Sequence, residues 1–390
     1  MPLLPLPDPD ALAHSARVVA RIRGEIAAAG GWIDFARYMA LALYAPGLGY
    51  SAAGATKLGP AGAFTTAPEM TPLFGQALAV QVAAILDVTA QREVIELGAG
   101  SGRLAADLLN ALAARDALPS RYAILEPSPD LRERQRATIA RDAAPHLARV
   151  GWLEALPDAI DGAVVANEVL DAIPVHLVVR RAGTLRERGV AWSPVADPTD
   201  PGFSWVERDC VLWLGALADA RFPHVDDYLG ELNPAAEALV EDVGRRMTGG
   251  AALFVDYGFP QAEYYHPQRA SGTLMGHYRH RAHADPFLWP GLSDLTAHVD
   301  FSAIADAGVR GGLRLAGYTS QAGFLLGCGI LDALSAVGPA DSGAYLRAAA
   351  PVQKLLSPAE MGELFKVLAL AKSEGIAWPG FALGDRSHRL

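Results

Sequence analysis

A glycine-rich turn directly after a short apolar segment is the part of the sequence best suited to hold a ligand. Residues 96–102 read Glu-Leu-Gly-Ala-Gly-Ser-Gly, and the apolar residues before them predict a strand. Glycines let the backbone approach a ligand closely, and the N–H groups of the helix that follows point at it. The spacing G-x-G-x-G differs from the G-x-G-x-x-G that dinucleotide sites favour. Glu96 suits a ligand ammonium better than a pyrophosphate.

A second carboxylate follows the next predicted strand. Residues 122–125 are apolar, and Glu126 comes directly after them. A carboxylate offers two acceptor oxygens, which is what the two hydroxyls of a ribose require. The alternative is an ordinary strand-to-helix turn in which Glu96 and Glu126 are solvated. Because the turn and the acidic strand end occur together, we favour a ligand site.

Polar residues also follow the fourth and fifth predicted strands. Asn167, Glu168 and Asp171 come after one strand, and Asp256 comes after the other. Open α/β sheets bind ligands at the carboxyl ends of their strands, so we expect these side chains at one edge. The alternative is that Asn167 and Asp171 cap the next helix and that Glu168 is solvated. For Asp256, an ion pair with an arginine of the segment 264–298 is an equal alternative, and its candidates are Arg279 and Arg281.

The segment 264–298 is long, polar and aromatic, and loops of this length in compact domains are usually functional or disordered. It contains three histidines at a spacing of three: His277, His280 and His283. This spacing does not keep three side chains on one helical face, and no cysteine lies close. We therefore predict no metal site.

Composition narrows the class of protein. The 390 residues are 51% hydrophobic and 19% charged, which predicts a packed globular protein. The net charge of −10 argues against a nucleic-acid footprint and favours a cationic partner. The two cysteines, Cys210 and Cys328, exclude a disulfide framework. No apolar stretch of ~18 residues and no leader-like segment is seen, so we expect a bacterial-type cytoplasmic protein without membrane insertion.

Strands and helices alternate along the middle of the chain, which predicts βαβ units and a parallel α/β sheet. The predicted strands are 94–97, 122–125, 150–153, 162–166 and 251–255, and helices are predicted over 10–29, 34–44, 104–114, 131–140 and 234–247. Strand-like stretches over 175–213 predict a β-rich insertion. We divide the chain into a helical N-terminal extension (1–88), a core (89–330) with an insertion at about 175–230, and a helical C-terminal tail (331–390).

Longer segments resemble the MidA family of class I S-adenosylmethionine-dependent methyltransferases, which includes a mitochondrial complex I assembly factor that methylates an arginine. In order along the chain they are FARYMALALYAPGLGYSA, TTAPEMTPLFGQALA, VIELGAGSGRLAADLL, VVANEVLDAIPVHLV, LFVDYGFPQAEYYHPQRASGTLMGHYRHRAHADPF and DLTAHVDFSAIADAG, and AEMGELFKVLALA follows near the end. The resemblance implies a seven-stranded Rossmann-like sheet and S-adenosyl-L-methionine as methyl donor. It implies as acceptor an arginine of a partner protein that is like a respiratory complex I subunit.

The resemblance also assigns cofactor contacts. It implies that Glu96, Gly98, Gly100 and Gly102 hold the methionine part and Glu126 the ribose, and Asn167 and Glu69 complete the predicted cofactor-binding set. Where the family usually has an acidic residue before Phe64, this chain has Ala63. The role of that acid could pass to Glu69.

Under this resemblance, the acidic strand ends acquire a role in methyl transfer. A guanidinium is protonated at pH 7 and is a poor nucleophile. A carboxylate could hold it bidentately, localise its charge and accept a proton as the C–N bond forms. We predict Glu168 as the first candidate for this role, Asp171 as the second and Asp256 as a third.

Three other functions stay open at this point. The acceptor could be a small molecule or RNA, although the acidity of the chain makes RNA unattractive. The chain could be a non-catalytic assembly chaperone that keeps the cofactor fold. A nicotinamide-dependent dehydrogenase is disfavoured by the glycine spacing and by Glu96.

Overall fold

The computed structural model describes residues 4–51, 66–195 and 200–390. The helices are α1 Pro9–Ala28, α2 Phe35–Tyr44, α3 Ala67–Met70, α4 Pro72–Leu86, α5 Arg103–Ala113, α6 Pro129–Asp142, α7 Leu212–Arg221, α8 Pro234–Arg246, α9 Gln261–Tyr264, α10 Phe301–Arg310, α11 Gln321–Gly327, α12 Ile330–Ser335 and α13 Gly343–Leu356. The strands are β1 Ile33–Asp34, β2 Glu93–Leu97, β3 Arg121–Leu125, β4 Val150–Leu153, β5 Ile160–Asn167, β6 His176–Arg181, β7 Thr184–Trp192, β8 Phe203–Asp209, β9 Tyr228–Leu232, β10 Met247–Phe259, β11 Met275–Tyr278, β12 Arg281–His283, β13 Asp294–Thr296, β14 Val299–Asp300, β15 Arg314–Ser320 and β16 Phe365–Ala371.

The chain folds into two compact units, each built from separate stretches of sequence. The first unit comprises Met1–Phe64, Asp171–Ala236 and Gln261–His298, and the second comprises Thr65–Leu170, Glu237–Pro260 and Val299–Leu390. This division differs from the contiguous segments that we expected. Within each unit, residues far apart in sequence share one buried cluster. In the described part of the chain, none of the helices combines the length and hydropathy of a membrane-spanning segment.

The second unit is built on the predicted parallel sheet. Its strand order is β15-β16-β10-β5-β2-β3-β4, and β14 pairs with β10. The pairs β10–β5, β5–β2, β2–β3 and β3–β4 are parallel, whereas β16 is antiparallel to both of its neighbours. Leu78 and Val82 of α4 and Leu108 of α5 share a buried cluster with Val94 of β2. The seven strands along this path and the α/β class confirm the predicted methyltransferase-type sheet.

The end of the chain differs from the predicted helical tail in one respect. Phe365–Ala371 forms β16, which is buried along its whole length and lies between β10 and β15. A short continuous apolar run fits a buried strand as well as a buried helix, so periodicity alone did not separate them. Helices α12 and α13 lie in the same part of the chain, as expected.

The first unit contains the predicted N-terminal helices and the β-rich insertion. An antiparallel sheet has the order β1-β7-β6-β9, with β8 paired to β7. Val18 of α1, Tyr38 of α2, Leu177 of β6 and Phe287 belong to one buried cluster. The segment 264–298, which we expected to be a loop, includes the three-stranded sheet β12-β11-β13.

The parallel pairing of β2 with β5 leaves no room for a side chain at Gly162. A Cβ there would lie 1.9 Å from the carbonyl oxygen of Glu93, which is fixed in the neighbouring strand. We expect Gly162→Ala to lower the free energy of unfolding by about 1–3 kcal/mol or more, because the strands must separate. Thermal and denaturant unfolding of the purified variant measure this change.

Gly24→Ala is the matched control. Gly24 lies on the exposed face of α1, and a Cβ there meets nothing within 4 Å. Alanine is expected to raise stability by about 0.5–1 kcal/mol because it lowers the entropy lost on forming the helix. Equal effects of the two substitutions would contradict the register of β2 and β5.

Candidate active site

The glycine turn follows β2 directly and has the backbone conformation that its sequence predicts. Gly98, Gly100 and Gly102 all have positive φ, at 62°, 52° and 84°. A Cβ at Gly102 would lie 2.9 Å from the Cα of Gln135, and one at Gly98 would lie 3.2 Å from a methyl carbon of Val169. Glycine is therefore needed at these positions for backbone conformation and for close packing.

Glu96 lies inside the protein, with only 2% of its surface exposed. The Tyr122 hydroxyl donates a hydrogen bond of 2.7 Å to its Oε2. Burial raises the pKa of Glu96 to about 7, and the bond from Tyr122 opposes that rise. The carboxyl therefore changes charge near neutral pH. Its predicted contact with a ligand ammonium stays a prediction.

Glu126 follows β3 and has both carboxylate oxygens held by the protein. Oε1 accepts the backbone N–H of Ser128 at 2.9 Å, and Oε2 accepts an N–H of the Gln135 side chain at 3.1 Å. Burial raises the pKa of this carboxyl. A carboxylate has about four lone-pair sites, so an acceptor set for two ribose hydroxyls is present.

Asn167 is the last residue of β5, and Glu168 begins the bend that follows it. Glu168 has a positive φ of 54°, and its N–H donates to the carbonyl oxygen of Val255 at 2.8 Å. Its Oε1 accepts the N–H of Ala67 and the side-chain N–H of Asn167, both at 3.1 Å. A non-glycine residue in this conformation is strained, and such strain clusters at functional sites.

The side-chain oxygen of Asn167 bears on ligand binding. Among the described residues, Asn167 Oδ1 is buried and has no hydrogen-bond partner. A buried acceptor without a partner is costly, and a ligand N–H or O–H would satisfy it. The Asn167 oxygen can accept an N–H or O–H of S-adenosylmethionine, the glycine turn can lie close to its methionine part, and Glu126 can accept its ribose hydroxyls. The residues present therefore fit this cofactor.

The helix-cap alternative for Asn167 and Asp171 is wrong. Residues 168–175 form turns and bends that lead into β6, so no helix begins there. Asp171 opens the second stretch of the first unit, Asp171–Ala236, where its side chain is buried and its carbonyl oxygen accepts the N–H of Ala297 at 3.0 Å. Its catalytic role stays a prediction.

Asp256 holds the backbone of the turn that follows β5. It lies within β10, and its Oδ2 accepts the N–H groups of Val169 at 3.1 Å and Leu170 at 2.9 Å. Its Oδ1 accepts the N–H of Tyr257 at 2.9 Å. These contacts give Asp256 a positioning role beside Glu168, and its predicted catalytic role is not tested by them.

Glu69 lies on α3 and contacts the glycine turn. Its Oε1 accepts a hydrogen bond from the Ser101 hydroxyl. Because Glu168 holds the first residue of α3, this short helix is tied to two strand-end turns at once. A cavity of about 350 Å³ adjoins the contact, lined by Pro68, Glu69, Met70, Thr71, Pro72, Ser101, Arg103, Thr138 and Arg141. Ala63, where the family has an acid, lies outside the described residues.

Gln135 was missed by the sequence analysis. It is fully buried on α6, and its side chain donates to Glu126 and to the carbonyl oxygen of Gly100. A helical spacing with Leu131 and Ile139 places it on the inward face of an otherwise polar helix. That pattern is the signal that could have identified it.

The histidines of the segment 264–298 lie in a hairpin. His277 is in β11 and His283 in β12, and His280 occupies the turn between them with a positive φ. Within the described ranges, no group of at least three His, Cys, Asp or Glu side chains could hold a metal ion.

Replacing Glu96 tests its buried charge. The pKa of Glu96 rises from an ordinary 4.5 to about 7 on folding, so the folded protein binds this proton more tightly than the unfolded chain does. The free energy of unfolding therefore falls as pH rises through this range. We expect Glu96→Gln to raise the melting temperature at pH 8 and to change it little at pH 4.5. The same variant should bind S-adenosylmethionine more weakly, because the countercharge for its ammonium is gone.

Tyr122→Phe is the companion variant. It keeps the carboxylate but removes the bond that lowers the pKa of Glu96, so the pH at which cofactor affinity rises should move upward. Calorimetric titrations between pH 5.5 and 8.5 measure this shift. An unchanged pH profile in both variants would assign the titration to another group.

Comparisons with known proteins support the predicted class of enzyme. The family model described as "Putative S-adenosyl-L-methionine-dependent methyltransferase" matches residues 77–319. A Mus musculus protein named protein arginine methyltransferase NDUFAF7, mitochondrial, is 30% identical over 372 residues, covering 87% of this chain and 81% of that protein. The Rattus norvegicus protein of the same name is 30% identical over 373 residues, with the same two coverages.

A solved structure is more similar still. The crystal structure of a candidate methyl transferase from Burkholderia thailandensis, bound to S-adenosyl-homocysteine, is 52% identical, with a TM-score of 0.94 and coverage of 100% of both chains. The resemblance to MidA and the predicted cofactor are thereby confirmed. This chain belongs to the family of S-adenosyl-L-methionine-dependent methyltransferases that these relatives represent.

Proposed function

We propose that this methyltransferase methylates an arginine side chain of a partner protein. The observation that carries the proposal is the similarity, across 87% of the chain, to relatives named protein arginine methyltransferase. A respiratory complex I subunit is the class of acceptor protein that the MidA resemblance implies. The net charge of −10 supports a cationic acceptor, because an acidic surface attracts one.

The chemistry requires two services from the protein. Bound S-adenosylmethionine supplies a methyl group on a sulfonium, and methyl transfer depends strongly on positioning. The acceptor nitrogen must be oriented, and it must lose a proton because the guanidinium is charged at pH 7. A carboxylate provides both, since it can accept two parallel N–H bonds and then take up a proton.

Glu168 has the contacts that this role needs. It follows a parallel strand at the edge where α/β sheets bind ligands. The two N–H bonds to its Oε1, from Ala67 and Asn167, fix the orientation of the carboxylate. Asp256 holds the next two backbone N–H groups, so the turn that carries Glu168 is itself fixed.

Label transfer from tritiated S-adenosylmethionine tests the acceptor class. An extract of cells that lack this chain is incubated with the purified enzyme and separated into protein, RNA and small-molecule fractions. We expect label in protein and, after acid hydrolysis, in methylarginine. Label in RNA or in a small molecule would overturn the arginine proposal. Intact cofactor binding without transfer would favour an assembly chaperone.

Glu168→Gln separates catalysis from positioning. Glutamine can still accept the bonds from Ala67 and Asn167, so folding and cofactor affinity should persist. Single-turnover methylation should fall by ~10²-fold or more, the usual scale for loss of an acid–base group.

Two further variants complete this test. Glu133→Gln removes the same charge from the exposed face of α6 and should leave the methylation rate and the cofactor affinity unchanged. Glu168→Ala should also lower the melting temperature, because Ala67 and Asn167 lose their acceptor. Full activity of Glu168→Gln beside an inactive Glu168→Ala would restrict Glu168 to holding α3.

A further inference from the structure

We propose that Gln135 is a positioning residue for the cofactor, which locks the Glu126 carboxylate and the glycine turn into the arrangement that binds it. Gln135 acts through these two partners. The inference rests on the cofactor of the family and not on the identity of the methyl acceptor. Its failure would therefore leave the arginine proposal untouched.

Three hydrogen bonds from one side chain carry the proposal. The Nε2 group of Gln135 donates to the carbonyl oxygen of Gly100 and to Oε2 of Glu126, both at 3.1 Å. Its Oε1 accepts the indole N–H of Trp152 at 2.9 Å. The residue has no exposed surface. One amide thus connects the turn after β2, the end of β3 and strand β4.

The indole fixes which way the amide faces. An indole N–H can only donate, so the oxygen of Gln135 must face Trp152 and the nitrogen must face the other two partners. Both amide hydrogens are then used, one for each of two different loops. A glutamate has no such donors, a lysine has no acceptor, and an asparagine is one carbon shorter. The site is specific for glutamine.

The backbone of α6 is fixed against the same turn. A Cβ at Gly102 would lie 2.9 Å from the Cα of Gln135, so the helix and the turn are in close contact. Ser128, the N-cap of α6, accepts the N–H of Leu131 and donates its own N–H to Oε1 of Glu126. The first turns of α6 therefore hold both oxygens of Glu126.

Two arginines of α6 lie beside Glu126 and its partners. Arg132 on α6 donates to the carbonyl oxygen of Glu126 at 2.5 Å and pairs with Glu154 at 3.4 Å. The guanidinium of Arg136 lies 4.3 Å from the ring centre of Trp152. Burial opposes the charged form of Glu126, whereas the hydrogen bond from Gln135 and the charge of Arg132 favour it. Gln135 therefore stabilises a carboxylate that is costly to bury.

Gln135→Met and Gln81→Met form a matched pair of variants. Gln81 is also a fully buried glutamine of the second unit, but its side chain binds the backbone of Ala377 and Gly380. Both variants should lower the melting temperature. Only Gln135→Met should weaken S-adenosylhomocysteine binding, by about 10-fold or more, the effect expected for losing a hydrogen bond to a charged group. Isothermal calorimetry measures the affinity.

Gln135→Glu adds a readout that a structural role would not move. It places a second carboxylate beside Glu126, and the two can then be satisfied only by sharing a proton. The ratio of Q135E to wild-type affinity for S-adenosylhomocysteine should therefore rise as pH falls from 8 to 6. Native-like affinity in a folded Q135M, or an equal loss in Q81M, would overturn the proposal. If Q135M does not fold, a pH-independent affinity ratio for Q135E would overturn it.

Discussion

The parallel pairing of β2 with β3 on one side and β5 on the other is the constraint on which the site depends. Leu97 lies opposite Leu125 and Ala166 in these two registers. The residues that come next in each strand, Gly98, Glu126 and Asn167, must therefore emerge at the same edge. A register shift of one residue in either pair would turn every side chain on that strand to the other face.

Side chains then lock the three emerging turns to one another. Gln135 connects the glycine turn to Glu126, and α3 is held by Glu168 at Ala67 and by Ser101 at Glu69. The site keeps buried carboxylates at positions where burial opposes their charge, as the raised pKa values of Glu96 and Glu126 show. Such groups lower stability in the free protein and are retained where ligand binding requires them. Burial thus opposes the charge of Glu96, the residue that we predict to bind the cofactor ammonium.

The sequence predicts the backbone of this site better than its side-chain contacts. The parallel strands and the glycine turn follow from continuous apolar runs and from glycine spacing, which are local patterns. β16 was missed because its apolar run fits either secondary structure. The turn after Asn167 was open to a helical interpretation because the bonds that define it come from β10, far along the chain. The helical spacing of Gln135 indicates that it is buried, but no local motif predicts its contacts, since its partners lie on three separate elements.

Hydrogen exchange with and without S-adenosylhomocysteine tests most directly whether the carboxyl edge of this sheet holds the cofactor. Mass spectrometry of peptides from the second unit would report the protection of each backbone turn. We expect protection on binding to concentrate in residues 97–103, 126–128 and 167–170, together with α3. Protection confined to the opposite edge of the same sheet, in residues 89–93 and 158–162, would contradict it.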